Sequence, residues 1–360
     1  MNFSNILVII QRSNGDVYLS ASLIHQLFSN LKPHSIDLLV NDDTVAIART
    51  IPNIRKILTF SYTKKKKHRW LQEKKILKKI YRKYDLSINL TASDRSVIYS
   101  IVASKYSISA VEKNRKKSWW KRLLLSESYF FDKNEHILIN NLQPLLCLGF
   151  SPKKIQLKTD GNKVAKESIE NKLNNLNINS FFIFHPSAQY KYKIYPKNSR
   201  NELLALLDSM NIPIIITGSK NKIDSQIKSE IPKLKNIFNW IGETSIDEFI
   251  ALCDKSIAYI GMDTLNMHIA ASQDKQIFAI FGPTNLAMWS PWSNQVKSSA
   301  YQNTPIQNYG GNTIFQADMP CVACGSSGCN GTGVSRCLDE IKPLDIFNTI
   351  NQWYLNHELN

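Results

Sequence analysis

Ile260-Gly261-Met262-Asp263-Thr264-Leu265-Asn266-Met267-His268-Ile269-Ala270-Ala271, followed by IFAIF at 277–281 and GPTNLAMWSPW at 282–292, is the stretch that decides the fold. A short apolar run ends at Gly261, the polar Asp263-Thr264 pair stands where a helix begins, and a second apolar run follows. Strand, helix and strand in this length make a parallel crossover unit. Free N–H groups at a helix start favour phosphate. The turn therefore suits a sugar diphosphate, with Asp263 accepting from sugar hydroxyls. The plainer reading is a capped helix with His268 satisfied in the core.

Upstream, the same alternation recurs. Candidate strands are Phe181–His185, Ile212–Thr217, Asn236–Ile241 and Ile257–Ile260, with helices at Asn201–Met210 and Ile246–Cys253. An earlier series comprises Ile6–Ile10, Ile36–Val40, Lys56–Phe60, Leu86–Leu90 and Tyr106–Ala110, with helices at Val17–Leu31 and Lys74–Tyr84. Two successive α/β sheets are the simplest account, and 360 residues suit two domains. The polar stretch 151–180 separates them. The expected division is 1–165 and 166–345 for the two domains, the second carrying a Cys-rich loop at 321–337, and 346–360 for a closing helix. Open α/β sheets bind ligands beyond the carboxyl ends of their strands, so two facing sheets would place the site in the cleft between them.

Composition narrows the classes. The chain is 43% hydrophobic and 21% charged, as in a globular protein. No apolar run approaches the roughly 18–20 residues that span a bilayer. MNFSNILVIIQRSNGD has no basic n-region and no small-residue cleavage site, which predicts a first strand and a cytoplasmic protein. Lys and Arg number 45 against 29 Asp and Glu, giving +16. The excess is concentrated. Residues 64–83 hold eleven Lys or Arg and one acid, Glu73; Lys113–Arg122 holds six basic residues around Trp119 and Trp120. Basic amphipathic stretches with tryptophan suit an anionic membrane surface, and Lys64, Lys65, Arg69, Trp70, Arg115, Lys116, Trp119 and Trp120 are the candidate acceptor or membrane residues. Nucleic-acid binding would also use such charge, but would leave the Asp263–His268 turn without purpose. A nicotinamide dehydrogenase is disfavoured, since no GxGxxG follows the first strand.

Three further motifs carry chemistry. After the first strand comes Gln11-Arg12-Ser13-Asn14-Gly15-Asp16-Val17. Asp16 at a helix start is either an ordinary cap or, facing a cleft, a general base for a hydroxyl nucleophile. His185-Pro186-Ser187-Ala188, with Lys191 and Lys193 following, offers small residues, a hydroxyl and a cation to a diphosphate. Finally Cys321-x2-Cys324-x4-Cys329-x7-Cys337 reads as a metal site, zinc being the candidate, or as free thiols. Cys147 and Cys253 read as core thiols.

ILVIIQRSNGDV, HPSAQYKYKIYP, IIITGS, WIGETSIDEFIALC and GMDTLNMHIAAS…IFAIFGPTNLAMWSPW, in this order, resemble the signature of glycosyltransferase family 9, the ADP-heptose:lipopolysaccharide heptosyltransferases. The resemblance implies a GT-B fold of two facing Rossmann-like domains, inversion at the anomeric carbon and no obligatory metal. It implies Asp16 as base, Lys193 as phosphate-binding lysine, and Asp263 and His268 as a donor-site pair. Thr244 and Thr264 fall where the nucleotide is lined, Ser187 on a phosphate-loop hydroxyl, and Asp224 near the adenosine; Asn266 lies among the same donor residues. The implied partners are ADP-heptose, an anionic glycolipid and the inner face of the inner membrane, with no nucleic acid. Three positions depart from the pattern: Leu265 where Gly is frequent, Tyr195 in place of Trp, and Asp224 in place of Glu. Leu265 adds bulk beside the donor, which leaves a hexose or N-acetylhexosamine donor as the alternative.

Overall fold

Ile6–Ile10 is apolar at every position instead of alternating, as expected of a strand covered on both faces, and each of these residues is at most 1% exposed. The computed structural model describes residues 3–153, 155, 157 and 159–358, apart from the side chains of 65–69 and 358. The sequence calls at Lys65 and Arg69 concern side chains outside this set. The chain divides into two compact units, 1–156 and 157–360.

In the first unit the strands are β1 Asn5–Ile10, β2 Ser35–Asn41, β3 Lys56–Phe60, β4 Tyr84–Asn89, β5 Ser104–Val111 and β6 Glu127–Phe130. The helices are α1 Asn14–Leu19, α2 Ala21–Leu31, α3 Val45–Ala48, α4 Tyr62–Ile80, α5 Asp94–Ala103, α6 Arg115–Leu124 and α7 Ile137–Cys147. The sheet is wholly parallel in the order β3-β2-β1-β4-β5-β6. Chain direction across the sheet reverses at the β1/β4 seam, the position where doubly wound sheets bind ligands. The single helix expected over Val17–Leu31 is two, because the Ser20 hydroxyl bonds the Val17 carbonyl at 2.7 Å and breaks the run. Helix α4 starts at Tyr62 and not Lys74, since Ser61 accepts from the Lys64 N–H and caps it.

In the second unit the strands are β7 Phe182–His185, β8 Ile214–Ile216, β9 Ile237–Asn239, β10 Ala258–Met262, β11 Gln276–Phe281, β12 Ile306–Tyr309 and β13 Asn312–Gln316. The helices are α8 Lys163–Asn175, α9 Lys197–Asp208, α10 Lys222–Glu230, α11 Ile246–Lys255, α12 Leu265–Ser272, α13 Leu286–Trp289 and α14 Pro343–Glu358. The order β12-β13-β11-β10-β7-β8-β9 repeats the winding of the first sheet, with β12 added as an antiparallel edge. Its reversal point is the β7/β10 seam. Helix α8, capped by Asn162 at the Ala165 N–H, packs on α11, so the unit starts before residue 165. The closing helix is part of this unit as well: α14 sets Trp353 edge-on to Phe278 and Tyr354 edge-on to Phe182.

Candidate active site

The β7/β10 seam is unusually close. A methyl group on Gly261 would stand 2.7 Å from the His185 carbonyl oxygen and 2.8 Å from the Tyr259 hydroxyl, so only glycine fits. Past the ends of these two strands the chain turns into His185–Ser187 and Asp263–Thr264. Lys193, from a single helical turn at Lys191–Lys193, reaches across to place Nζ 2.6 Å from Asp263 Oδ2. Burial works against the ammonium, but the Asp263 carboxylate outweighs it and holds Lys193 above the ordinary lysine value. Residues separated by seventy positions thus form one ion pair.

One buried imidazole, His268, lies by the pair, and a second, His185, stands at the end of β7. Burial pushes His268 down to about 4; Asp263 opposes this and Lys193 adds to it. Its Nδ1 has no hydrogen-bond partner among the described residues. His185 is likewise pushed down to about 4 by burial, against the pull of Asp224. Its Nδ1 stands 3.0 Å from Thr217 Oγ1 and 3.4 Å from Asn266 Nδ2, and its Nε2 lies 3.4 Å from Ser187 Oγ. Both rings are therefore neutral near pH 7 and serve as hydrogen-bonding groups, not cations. His185 and Thr217 were not singled out in the sequence; their place at the ends of two adjacent strands was the available signal. Thr264 precedes α12 with its hydroxyl 3.5 Å from Tyr259 Oη instead of capping the helix. Asp224 is buried and accepts from the Ser219 backbone N–H through Oδ2, while Oδ1 has no partner among the described residues. Thr244 is half-buried ahead of the Ser245–Glu248 capping box of α11. Leu265 is half-buried as the first residue of α12, and Tyr195 is buried with its hydroxyl donating to the Ile341 carbonyl.

In the first unit Asp16 lies in the first turn of α1 and is 4% exposed. Arg12 Nε approaches its Oδ1 at 2.7 Å, and the Ser13 hydroxyl donates to Oδ2 at 2.5 Å. Oδ2 is thus hydrogen-bonded from within the turn, while Oδ1 is in ion-pair contact with Arg12 and has no hydrogen-bond partner among the described residues; the Arg12 guanidinium stands 5.4 Å from the Phe131 ring centroid. Lys64 and Trp70 are exposed on α4, Trp70 at 81%. On α6, Arg115, Lys116 and Trp119 are exposed together with Leu123 and Leu124, whereas Trp120 packs against the cluster of Val97, Val111 and Leu125. Lys121 of the same basic run is wholly buried and bonds Asp94, Glu112 and the Ala92 carbonyl at 2.7–2.9 Å. The run is therefore one cation poorer at the surface than its composition suggests.

Cys321, Cys324, Cys329 and Cys337 line one cavity of about 20 Å³ with Pro283 and Val322. All four are free thiols, and burial with the three neighbouring cysteines pushes Cys337 up to about 11. As the side chains stand, no three His, Cys, Asp or Glu among the described residues are arranged to hold a metal ion. Cys253 is buried, as read, and Cys147 half-buried.

Residues 74–313 match the family described as glycosyltransferase family 9 (heptosyltransferase). The chain is similar to lipopolysaccharide heptosyltransferase 3 of Escherichia coli, at 23% identity over 308 residues, 82% of this chain and 90% of that protein. It is similar to lipooligosaccharide heptosyltransferase 2 of Campylobacter jejuni subsp. jejuni, at 24% over 349 residues, 94% and 95% of the two chains. The solved structure of E. coli ADP-heptose lps heptosyltransferase II superposes with a TM-score of 0.70 at 18% identity, covering 98% of this chain and 99% of that one. This likeness shows the GT-B fold. Since the family match takes in more than half of the sequence and includes the Lys193–Asp263 pair, this chain belongs to glycosyltransferase family 9, the heptosyltransferase family, and is a glycosyltransferase.

Proposed function

We propose that the chain moves a heptosyl group from ADP-heptose to a lipopolysaccharide core acceptor, inverting the anomeric centre. The observation that carries this reading is the Lys193–Asp263 pair with the neutral His268 by it, at the reversal point of a doubly wound sheet whose β7 ends in the neutral His185. An ammonium has three N–H donors. One is taken by Asp263, so others remain for diphosphate oxygens. Asp263, Asn266 and His268 would meet the sugar and Ser187 the phosphates, while Asp224, Thr244 and Thr264 would line the nucleoside. Asp16 would take the proton of the acceptor hydroxyl as its oxygen bonds the anomeric carbon from the face opposite the diphosphate. The bond from that carbon to the diphosphate oxygen breaks with its electron pair leaving on ADP, whose charge Lys193 and the N–H groups of α12 stabilise. The family resemblance implies no obligatory metal for this step.

The direct test supplies the full chain with ADP-heptose, an ADP-hexose and a UDP-N-acetylhexosamine, and lipopolysaccharide truncated in the core. A mass gain of one heptose on the acceptor is expected. Transfer of a hexose or an N-acetylhexosamine instead would establish the alternative that Leu265 keeps open, and transfer from none would remove the reading.

Two attributes accompany it. The exposed Arg115, Lys116, Trp119, Leu123 and Leu124 of α6 and Lys64 and Trp70 of α4 would rest on an anionic bilayer at the inner face of the inner membrane. No helix of the described residues is long and apolar enough to cross a membrane. Zinc at the four cysteines would be structural. Their number and type suit tetrahedral zinc, and all four line one cavity. About one zinc per purified chain, lost in Cys337→Ser along with a lower Tm, is expected. A metal-free chain whose Tm ignores both zinc and chelator would exclude it.

A further inference from the structure

The β1/β4 seam of the first unit holds a second set of groups besides Asp16. The Gln11 backbone N–H donates to Thr91 Oγ1 at 3.0 Å, tying the loop after β1 to the loop after β4. From the first turn of α5, Arg95 directs Nε at Gln11 Oε1 (3.4 Å) and a terminal nitrogen at the Tyr62 hydroxyl (2.9 Å). Its guanidinium lies 3.8 Å from the Phe60 ring centroid, a stacking that fixes the plane of the group. Among the described residues no carboxylate pairs with it. Glu73 of α4 is engaged by the Tyr99 hydroxyl instead. A guanidinium has five N–H donors, of which two are used.

Beside this cation lie two buried amides, each half satisfied. Because Arg95 can only donate, the oxygen of Gln11 must face it, and Nε2 is then a donor turned elsewhere. Gln11 is 4% exposed, and that Nε2 has no partner among the described residues. Asn41, at the end of the neighbouring β2, is 5% exposed; its Nδ2 donates to the Arg12 carbonyl at 3.2 Å, and its Oδ1 has no partner. A buried polar atom without a partner is costly and needs a reason. Arg12 itself is occupied by Asp16. The set therefore offers a spare guanidinium edge, a spare amide donor and a spare amide acceptor in the loops that carry Asp16. An anion with a hydroxyl nearby satisfies all three, and a neutral apolar ligand satisfies none.

We propose that Arg95, with the Gln11 amide, is the specificity-determining residue that binds an anionic group of the acceptor, a phosphate ester or a sugar carboxylate, next to the hydroxyl that Asp16 deprotonates. This rests on the reading of Asp16 as the base. The anion fixes which hydroxyl is presented, with Asn41 Oδ1 accepting from a neighbouring one.

The test measures binding of deacylated lipopolysaccharide core oligosaccharide to the full chain by calorimetry, with turnover followed in parallel. Three forms are compared: intact, dephosphorylated with hydrogen fluoride, and carboxyl-reduced. Wild type is expected to lose about tenfold or more in affinity for one of the two stripped forms, which names the anion. Arg95→Met is expected to bind the intact form as weakly as wild type binds that stripped form, and to be indifferent to the stripping; Arg95→Lys should recover part of the loss. The proposal is overturned if wild type binds no form or all three equally, or if Arg95→Met loses the same factor for each. A Tm of Arg95→Met within a few degrees of wild type shows that the fold is kept; if it is lower, the same comparison is made with Gln11→Leu. Anion-dependent binding without any heptose transfer would count against the proposed function and leave this inference standing.

Discussion

The two sheets are wound alike yet use their reversal points differently. At the β1/β4 seam the carboxylate, Asp16, is held by residues three and four positions away in its own turn, Ser13 and Arg12. At the β7/β10 seam the carboxylate, Asp263, is held by a lysine from a distant loop and lies by an imidazole, His268, that burial keeps neutral. A locally built site keeps its geometry as long as the turn folds. A site assembled from distant segments depends on the whole unit, and its cation is the more buried: the Lys193 side chain is 22% exposed and that of Arg12 31%, while the two carboxylates are equally buried. One scaffold thus gives a locally held carboxylate in the first unit and, in the second, an ion pair that depends on more of the fold.

This contrast can be broken in several places. The largest effect is expected of Asp16→Asn, which should lower kcat about a thousandfold with little change in Tm; turnover near wild type would remove the base from the first unit. Next is acid. His185 and His268 carry folded values of about 4 against an ordinary 6.5, so the unfolded chain binds more protons between these limits. Stability is then complete above about pH 6.5 and declines as the pH falls toward about 4, by at most on the order of 3 kcal/mol per ring. Urea midpoints at the two ends of that range should differ less in His268→Gln than in wild type, and an equal difference would show that the ring does not titrate so. A smaller effect separates the two ion pairs. Lys193→Met leaves Asp263 buried and alone and should cost about 2 kcal/mol, together with a raised KM for the donor. Arg12→Met, at the more exposed pair, should cost less than about 1 kcal/mol. Equal costs would erase the distinction drawn here. Smallest is Trp119→Ala on α6, expected to weaken binding to anionic vesicles about threefold while leaving transfer to a water-soluble acceptor intact; unchanged vesicle binding would take α6 off the membrane.

Much of this was legible beforehand, for identifiable reasons. Strands such as Ile6–Ile10 and Ile277–Phe281 announce themselves because parallel strands are apolar on both faces. The Asp263 turn was visible because a helix start needs a particular residue order. What escaped depends on distance or on orientation. Spacing in sequence cannot tell that Lys193 meets Asp263. Lys121 looked like its exposed neighbours and turned inward, because Asp94 and Glu112 await it there. The β12/β13 hairpin was missed since β12 is short, polar and half exposed. Arg95 gave no signal at all, lying alone in an ordinary helix start.

Gly261 has a further meaning for anyone who would alter the proposed donor site. It is a spacer one hydrogen atom thick: the His185 chain and the Asp263 chain leave the sheet side by side only because nothing larger stands between them. In the proposed donor site the side chains assigned to the donor, such as Asn266 and His268, can be exchanged one at a time. The separation of β7 and β10 cannot be adjusted in the same way, because any side chain at 261 would press on the His185 carbonyl and the Tyr259 hydroxyl.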